Sequence, residues 1–198
     1  GQVTLTQTLI GTALDISGDI DVDGTTNLDV VDVDGAVNFA ADVTFANGAD
    51  ILTASAGNNN VRVGGNAGNS IESGGNQNTV VGDEAGTAIT TGIENVLVGY
   101  STGDALTDAD FNVAVGRAAL STDTLGSKST AIGQGALNVQ NFTTATDSHN
   151  TAVGFFAGLA ITTGLKNTLI GSSSGDSLTD ADFNTAVGFG SLGFDQLG

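Results

Sequence analysis

Between Asn60 and Gly188 one five-residue frame recurs eight times: Asn, a β-branched residue, any residue, Val or Ile, then Gly. The copies begin at Asn60, Asn78, Asn95, Asn112, Ser129, Asn150, Asn167 and Asn184, at steps of 18, 17, 17, 17, 21, 17 and 17 residues, with Ser129 the one departure from Asn. A unit this short cannot bury an apolar face by itself, so the copies must cover one another as stacked coils of a solenoid.

Each position of the frame has a physical reading. The second and fourth residues are β-branched in every copy, and alternation at period two puts them on one face of a short strand, expected to be the buried face. The fifth is always Gly, as required where the strand ends in a turn that a Cβ would obstruct. Three residues later comes a small side chain (Ala67, Ala85, Thr102, Ala119, Ala136, Ala157, Ser174, Ser191), which suits a tight corner.

The position after that small residue divides the copies. Where it is Gly (Gly68, Gly86, Gly103, Gly158, Gly175), a large aliphatic follows three residues on: Ile71, Ile89, Leu106, Ile161 and Leu178. Where it is Leu (Leu120, Leu137, Leu192), that aliphatic is missing. One interior slot filled from either of two backbone positions would keep the packed volume constant from coil to coil. Residues 78–120 also match residues 150–192 at an offset of 72, the mark of a duplicated four-coil block. Coils rising by ~4.8 Å each would build a rod, and an Asn repeated at its first position would form a side-chain ladder along it.

Residues 1–56 have another rhythm. Short alternating runs are punctuated by Gly11, Gly18, Gly24, Gly35 and Gly48, with a six-residue spacing through Ile16, Val22 and Leu28 and again between Val37 and Val43. This predicts a β-stranded shaft over 1–56, followed by a solenoid of about eight coils over 57–198. The fold class expected is therefore all-β, repetitive and fibrous. The chain starts without Met and stops within a repeat, and is read as part of a longer polypeptide.

Charge narrows the function. Twenty-two acidic residues against four basic ones give −18, which repels nucleic acid and anionic membranes. No run approaches the ~18 apolar residues of a membrane span. With no Cys and a single His, thiolate metal sites and two-histidine sites are excluded.

The frame Asn-Thr-Ala-Val-Gly-x-x-Ala/Ser-Gly/Leu, followed by Thr-Thr-Gly, resembles the repeats of phage tail-fibre proteins, and the Asp/Val/Gly alternation of residues 19–35 resembles their shafts. The word Ala-Ile/Val-Gly-x-x-Ala is also similar to the β-roll heads of trimeric autotransporter adhesins. The adhesin repeat is shorter, and this sequence shows neither a coiled-coil stalk nor an anchor, so the phage resemblance is the nearer. It implies a homotrimer, virion tail proteins as neighbours, an extracellular location, and attachment to a glycan or protein of the host surface. A bacterial trimeric adhesin and a polysaccharide-degrading tail spike are the alternatives.

Candidate sites follow from these readings. The residue after each frame glycine varies freely on a constant frame, as a contact surface would, and Tyr100, Arg117, Phe155 and Phe189 occupy it. Those aromatics, with Phe156, could stack on sugars or seal a trimer interface. The long fifth coil predicts a surface loop around Phe142, a second place for receptor contact. Asp19-x-Asp21-x-Asp23-Gly24 opens like a calcium loop, but Val30 stands where the bidentate Glu belongs, so no cofactor is expected, with Ca2+ or another cation as the alternative. Asp108, Asp110, Asp180 and Asp182 read as turn residues. Asp147, Ser148 and His149 are adjacent in sequence, which is not the arrangement of a catalytic triad, and no enzyme activity is expected.

Overall fold

The computed structural model describes residues 55–196. The shaft expected before them and the Asp19, Asp21 and Asp23 loop lie outside the described residues.

The described residues contain ten short strands and no helix. They form a parallel β-solenoid of about seven turns. Eight frame copies give β1 (Val61–Val63), β2 (Thr79–Val81), β3 (Val96–Val98), β4 (Val113–Val115), β6 (Thr130–Ile132), β8 (Thr151–Val153), β9 (Thr168–Ile170) and β10 (Thr185–Val187). They make one sheet in that order, with every frame position facing its counterpart, as in Val96 opposite Val113 and Ala131 opposite Ala152. The long fifth coil adds β5 (Gly126–Ser127) and β7 (Thr146–Asp147), a separate parallel pair.

The strands face the opposite way from the expectation. The first and third frame positions point inward: Asn78, Asn95, Asn112 and Asn167, with Val80, Leu97, Ala114, Ala131, Ala152 and Leu169, are fully buried. The β-branched second and fourth positions point outward, where Val81, Val98 and Val115 are half-buried and Val63, Ile132, Ile170 and Val187 are exposed. Hydrogen bonding decides the parity. Each Asn side chain must lie inside the coil to reach its partners, and the third position shares its face.

Those partners link the coils. Asn112 N–H donates to Asn95 Oδ1 at 3.0 Å, and Asn95 N–H in turn to Asn78 Oδ1 at 3.0 Å. Within its own coil the Nδ2 of every frame Asn but Asn184 reaches the far wall, donating to the Ala109 carbonyl from Asn95 at 2.8 Å and to the Ala181 carbonyl from Asn167 at 2.8 Å. One side chain thus closes a coil and fastens it to its neighbour, leaving no buried amide unpaired. Ser129 is too short for this. Gln140 supplies the missing amide, accepting from Asn150 Nδ2 at 2.8 Å and donating to Ser129 Oγ at 2.9 Å and to Asp123 Oδ2 at 2.6 Å. Asp123, wholly buried, is satisfied further by the backbone N–H groups of Gly126 and Phe142.

The volume compensation is present and involves three rows. A methyl group on Gly103 would lie 2.9 Å from both Leu106 Cδ1 and Leu97 Cδ2, so large residues at the third frame position and in the far wall occupy that space. Leu120, Leu137 and Leu192 instead enter from the glycine's own position, each with its third frame residue reduced to Ala114, Ala131 or Ala186. They adopt left-handed φ values of 53°, 48° and 52°, which is unusual for Leu and is held in place by the burial of its side chain.

Asp104 departs from this tidy satisfaction. Its Oδ1 is buried without a hydrogen-bond partner. Burial raises its pKa, Glu84 adds to the effect, and a backbone hydrogen bond opposes it. A folded-state pKa above the unfolded one means that the ionised form is penalised in the fold. The penalty is absent below the usual aspartate range and complete above the raised value. Asp104→Asn should therefore raise the melting temperature at neutral pH, and the gain should vanish in melts taken at about pH 3.

Candidate contact surface

The outward face of the main sheet has two uncharged β-branched rows, one from each outward frame position. The fourth position contributes Val63, Val81, Val98, Val115, Ile132, Val153, Ile170 and Val187, and the second contributes Val and Thr. Neither row contains a charged residue, in a chain of net charge −18.

One border of these rows is the position after the frame glycine. Tyr100, Arg117, Phe155 and Phe189 stand there on their respective coils, all exposed, Phe189 at 87%. The Arg117 guanidinium lies 5.8 Å from the Tyr100 ring centroid of the coil before it, a cation–π arrangement. Phe155 and Phe156 are in ring contact, with centroids 4.0 Å apart and planes tilted by 38°. Phe156 is only half-exposed and has a left-handed φ of 57°. Its ring covers Gly135, where a methyl group would lie 2.5 Å from Cδ1, so part of its role is packing.

Phe142 is not on this surface. It is only 6% exposed, and its ring lies against Gly126 so closely that a methyl group there would be 2.8 Å from Cδ2. Of the loop expected around it, Thr143, Thr144 and Ala145 are exposed. The extra residues reach outward, but the aromatic ring turns inward because the long coil has more interior to fill.

The acidic turns serve the coils. Asp110 Oδ1 accepts from the Ile93 N–H at 2.8 Å, and Asp182 Oδ1 from the Leu165 N–H at 2.6 Å, each across to the preceding coil. Asp147, Ser148 and His149 diverge. Ser148 Oγ is buried on Ser129 Oγ and the Ser127 carbonyl, whereas Asp147 accepts from Lys128 Nζ at 2.5 Å, which lowers its pKa. Among the described residues no three of His, Cys, Asp and Glu gather as metal ligands would.

Sequence reasoning did not single out the other border, the residue just before each frame Asn. Its signal was weak: Asn59, Gln77, Glu94, Phe111, Lys128, His149, Lys166 and Phe183 share no residue type. All eight have left-handed φ values, from 53° to 62°.

No family model, curated protein or solved structure matches this chain.

Proposed function

We propose that the chain is a segment of a homotrimeric surface fibre of the phage tail-fibre kind, which extends from a virion and attaches to a glycan or protein of the host surface. One observation carries the reading: an aliphatic row of Val and Ile, beside an uncharged row of Val and Thr, runs the length of the solenoid in an acidic chain. Acidic faces repel one another, so an uncharged face offers a second copy the approach with least repulsion, and copies with the same rise per coil keep rung opposite rung. Covering Val63, Ile132, Ile170 and Val187 removes aliphatic surface from water at about 25 cal/mol per Å². The exposed Tyr100, Arg117, Phe155 and Phe189 border those rows and are the residues proposed for host contact. A virion or extracellular location is part of the same proposal.

Sedimentation equilibrium tests the trimer. The expected mass is about three times the chain's 19.5 kDa. Val115→Asp with Ile132→Asp, which puts charge into the aliphatic row, should give monomers with an unchanged far-UV spectrum. A wild-type chain that sediments as a monomer at micromolar concentration would end the reading.

A further inference from the structure

We propose that the two borders of the main sheet meet between copies as the seams of the trimer, so that the residue before each strand in one copy stands level with the residue after the same strand in the next. The inference rests on the trimer reading and adds which residues face each other across it.

The distribution of exposed apolar side chains is the first observation. Of the thirteen large ones exposed among the described residues, eleven lie on the two outward rows or the two borders, and only Val139 and Phe194 lie elsewhere. The apolar strip is therefore wider than the rows and runs from border to border. A partner that covered the rows alone would leave Tyr100, Phe111, Phe155, Phe183 and Phe189 in water, which is the mark of a larger contact.

Symmetry decides how the borders meet. Three identical copies close a ring through unlike edges, so the border before the strands of one copy meets the border after the strands of the next. Rotation without translation keeps equal coils level. Phe111 then stands beside Arg117, His149 beside Phe155, and Phe183 beside Phe189. A guanidinium beside a ring and a ring beside a ring are favourable pairs. Arg117 already lies 5.8 Å from the centroid of its own Tyr100 ring, and in the seam the Phe111 ring of the neighbouring copy comes to it as well.

Charge agrees with this register. The remaining levels set Gln77 beside Asp83, Glu94 beside Tyr100, Lys128 beside Gln134 and Lys166 beside Ser172, so no level brings like charges together. A slip of one coil toward the start of the chain would place Glu94 against Asp83 and Lys128 against Arg117, two repulsions. The acids nearest the border are engaged within their own copy, Asp110 and Asp182 by backbone amides of the preceding coil and Asp147 by Lys128. The host-contact residues Arg117, Phe155 and Phe189 thus lie along the seams. A ligand that reaches them also meets Phe111, His149 or Phe183 of the neighbouring copy, and a single copy holds only half of each contact.

The chain has no Cys, so thiols introduced in pairs report the seam without background. The full chain with Phe183→Cys and Phe189→Cys, treated with a short bismaleimide, should run mostly as covalent dimers and trimers. Within one copy the two thiols are about 20 Å apart along the extended strand, out of reach of each other. Phe111→Cys with Arg117→Cys should behave alike. Each single substitution should stay uncrosslinked, as should Phe183→Cys with Tyr100→Cys, which stand five coils apart. Unchanged thermal melts show that the variants are folded. A trimer mass in sedimentation with neither pair crosslinked overturns the seam and leaves the trimer reading standing, whereas a monomer mass overturns both. Single substitutions that crosslink as well as the pairs would mean that like border meets like border, which also overturns the seam.

Discussion

Gly116→Ala should be among the most damaging single substitutions in the solenoid. Gly116 has φ +130°, a region that L side chains rarely adopt, and a methyl group there would lie 2.6 Å from the Gly133 carbonyl carbon and 2.7 Å from its oxygen. The obstacle is backbone of the next coil, so no side chain can rotate away. The coils must separate locally, which breaks bonds such as that from Gly133 N–H to the Val115 carbonyl at 2.8 Å. Gly188 provides an internal reference. Its φ is +126°, but nothing lies within 4 Å of the added methyl group. Gly188→Ala therefore carries the backbone strain alone, about 1–3 kcal/mol. Gly116→Ala should cost at least about 2 kcal/mol more, in the range reserved for severe lesions. Urea unfolding followed by far-UV circular dichroism compares the two, and equal losses would show that contact between coils plays no part in the requirement for glycine.

Spacing, turn glycines, volume compensation and the Asn ladder were legible because each depends on residue type at a fixed interval. The inward face of the strand was not. β-Branching at every copy argued for the second and fourth positions, over a third position that holds the small Ala114, Ala131 and Ala152 now found inside. Those alanines are small because leucines such as Leu120 and Leu137 fill the same interior from the opposite wall. The parity was nevertheless implicit in the Asn. A ladder of buried amides at the first position is compatible with only one inward face, and that constraint outweighs the pull of β-branching.

The exposure of the variable positions was legible in part. Tyr100, Arg117, Phe155 and Phe189 vary against a constant frame, and they are exposed. Phe142 was misjudged because an insertion does not reveal whether its aromatic ring faces outward or fills the larger interior that the insertion creates. Gln140 and Asp123 escaped notice because their position holds an aliphatic only in the five glycine copies, and only the geometry around Ser129 shows why a polar pair belongs there. The border of left-handed residues left only a weak signal, since handedness without glycine fixes no single residue type.

Asn95→Ala should show how far the ladder holds the coils together. Asn95 is fully buried and makes bonds in three directions: its N–H and Nδ2 to Asn78 Oδ1, its Nδ2 to the Ala109 carbonyl, and its Oδ1 to the Asn112 N–H. Alanine retains the first backbone bond and removes the rest. The Asn112 N–H and the Ala109 carbonyl then lose the partner the side chain supplied, at about 1–3 kcal/mol for each buried group. A loss of about 2–6 kcal/mol is expected, against less than about 1 kcal/mol for Asn184→Ala, whose side chain is partly exposed and donates to Asn167 Oδ1 and the Asp182 carbonyl. Asn95→Asp separates the two directions. Its carboxylate can still accept from Asn112, but the second oxygen faces the Ala109 carbonyl and is repelled. This variant should be destabilised at neutral pH and should recover as the pH falls, because the protonated acid again donates to Ala109. Denaturant midpoints of the three variants across pH decide the matter. If Asn95→Ala and Asn184→Ala lose the same small amount, the amides follow the stacking of the coils and do not hold it.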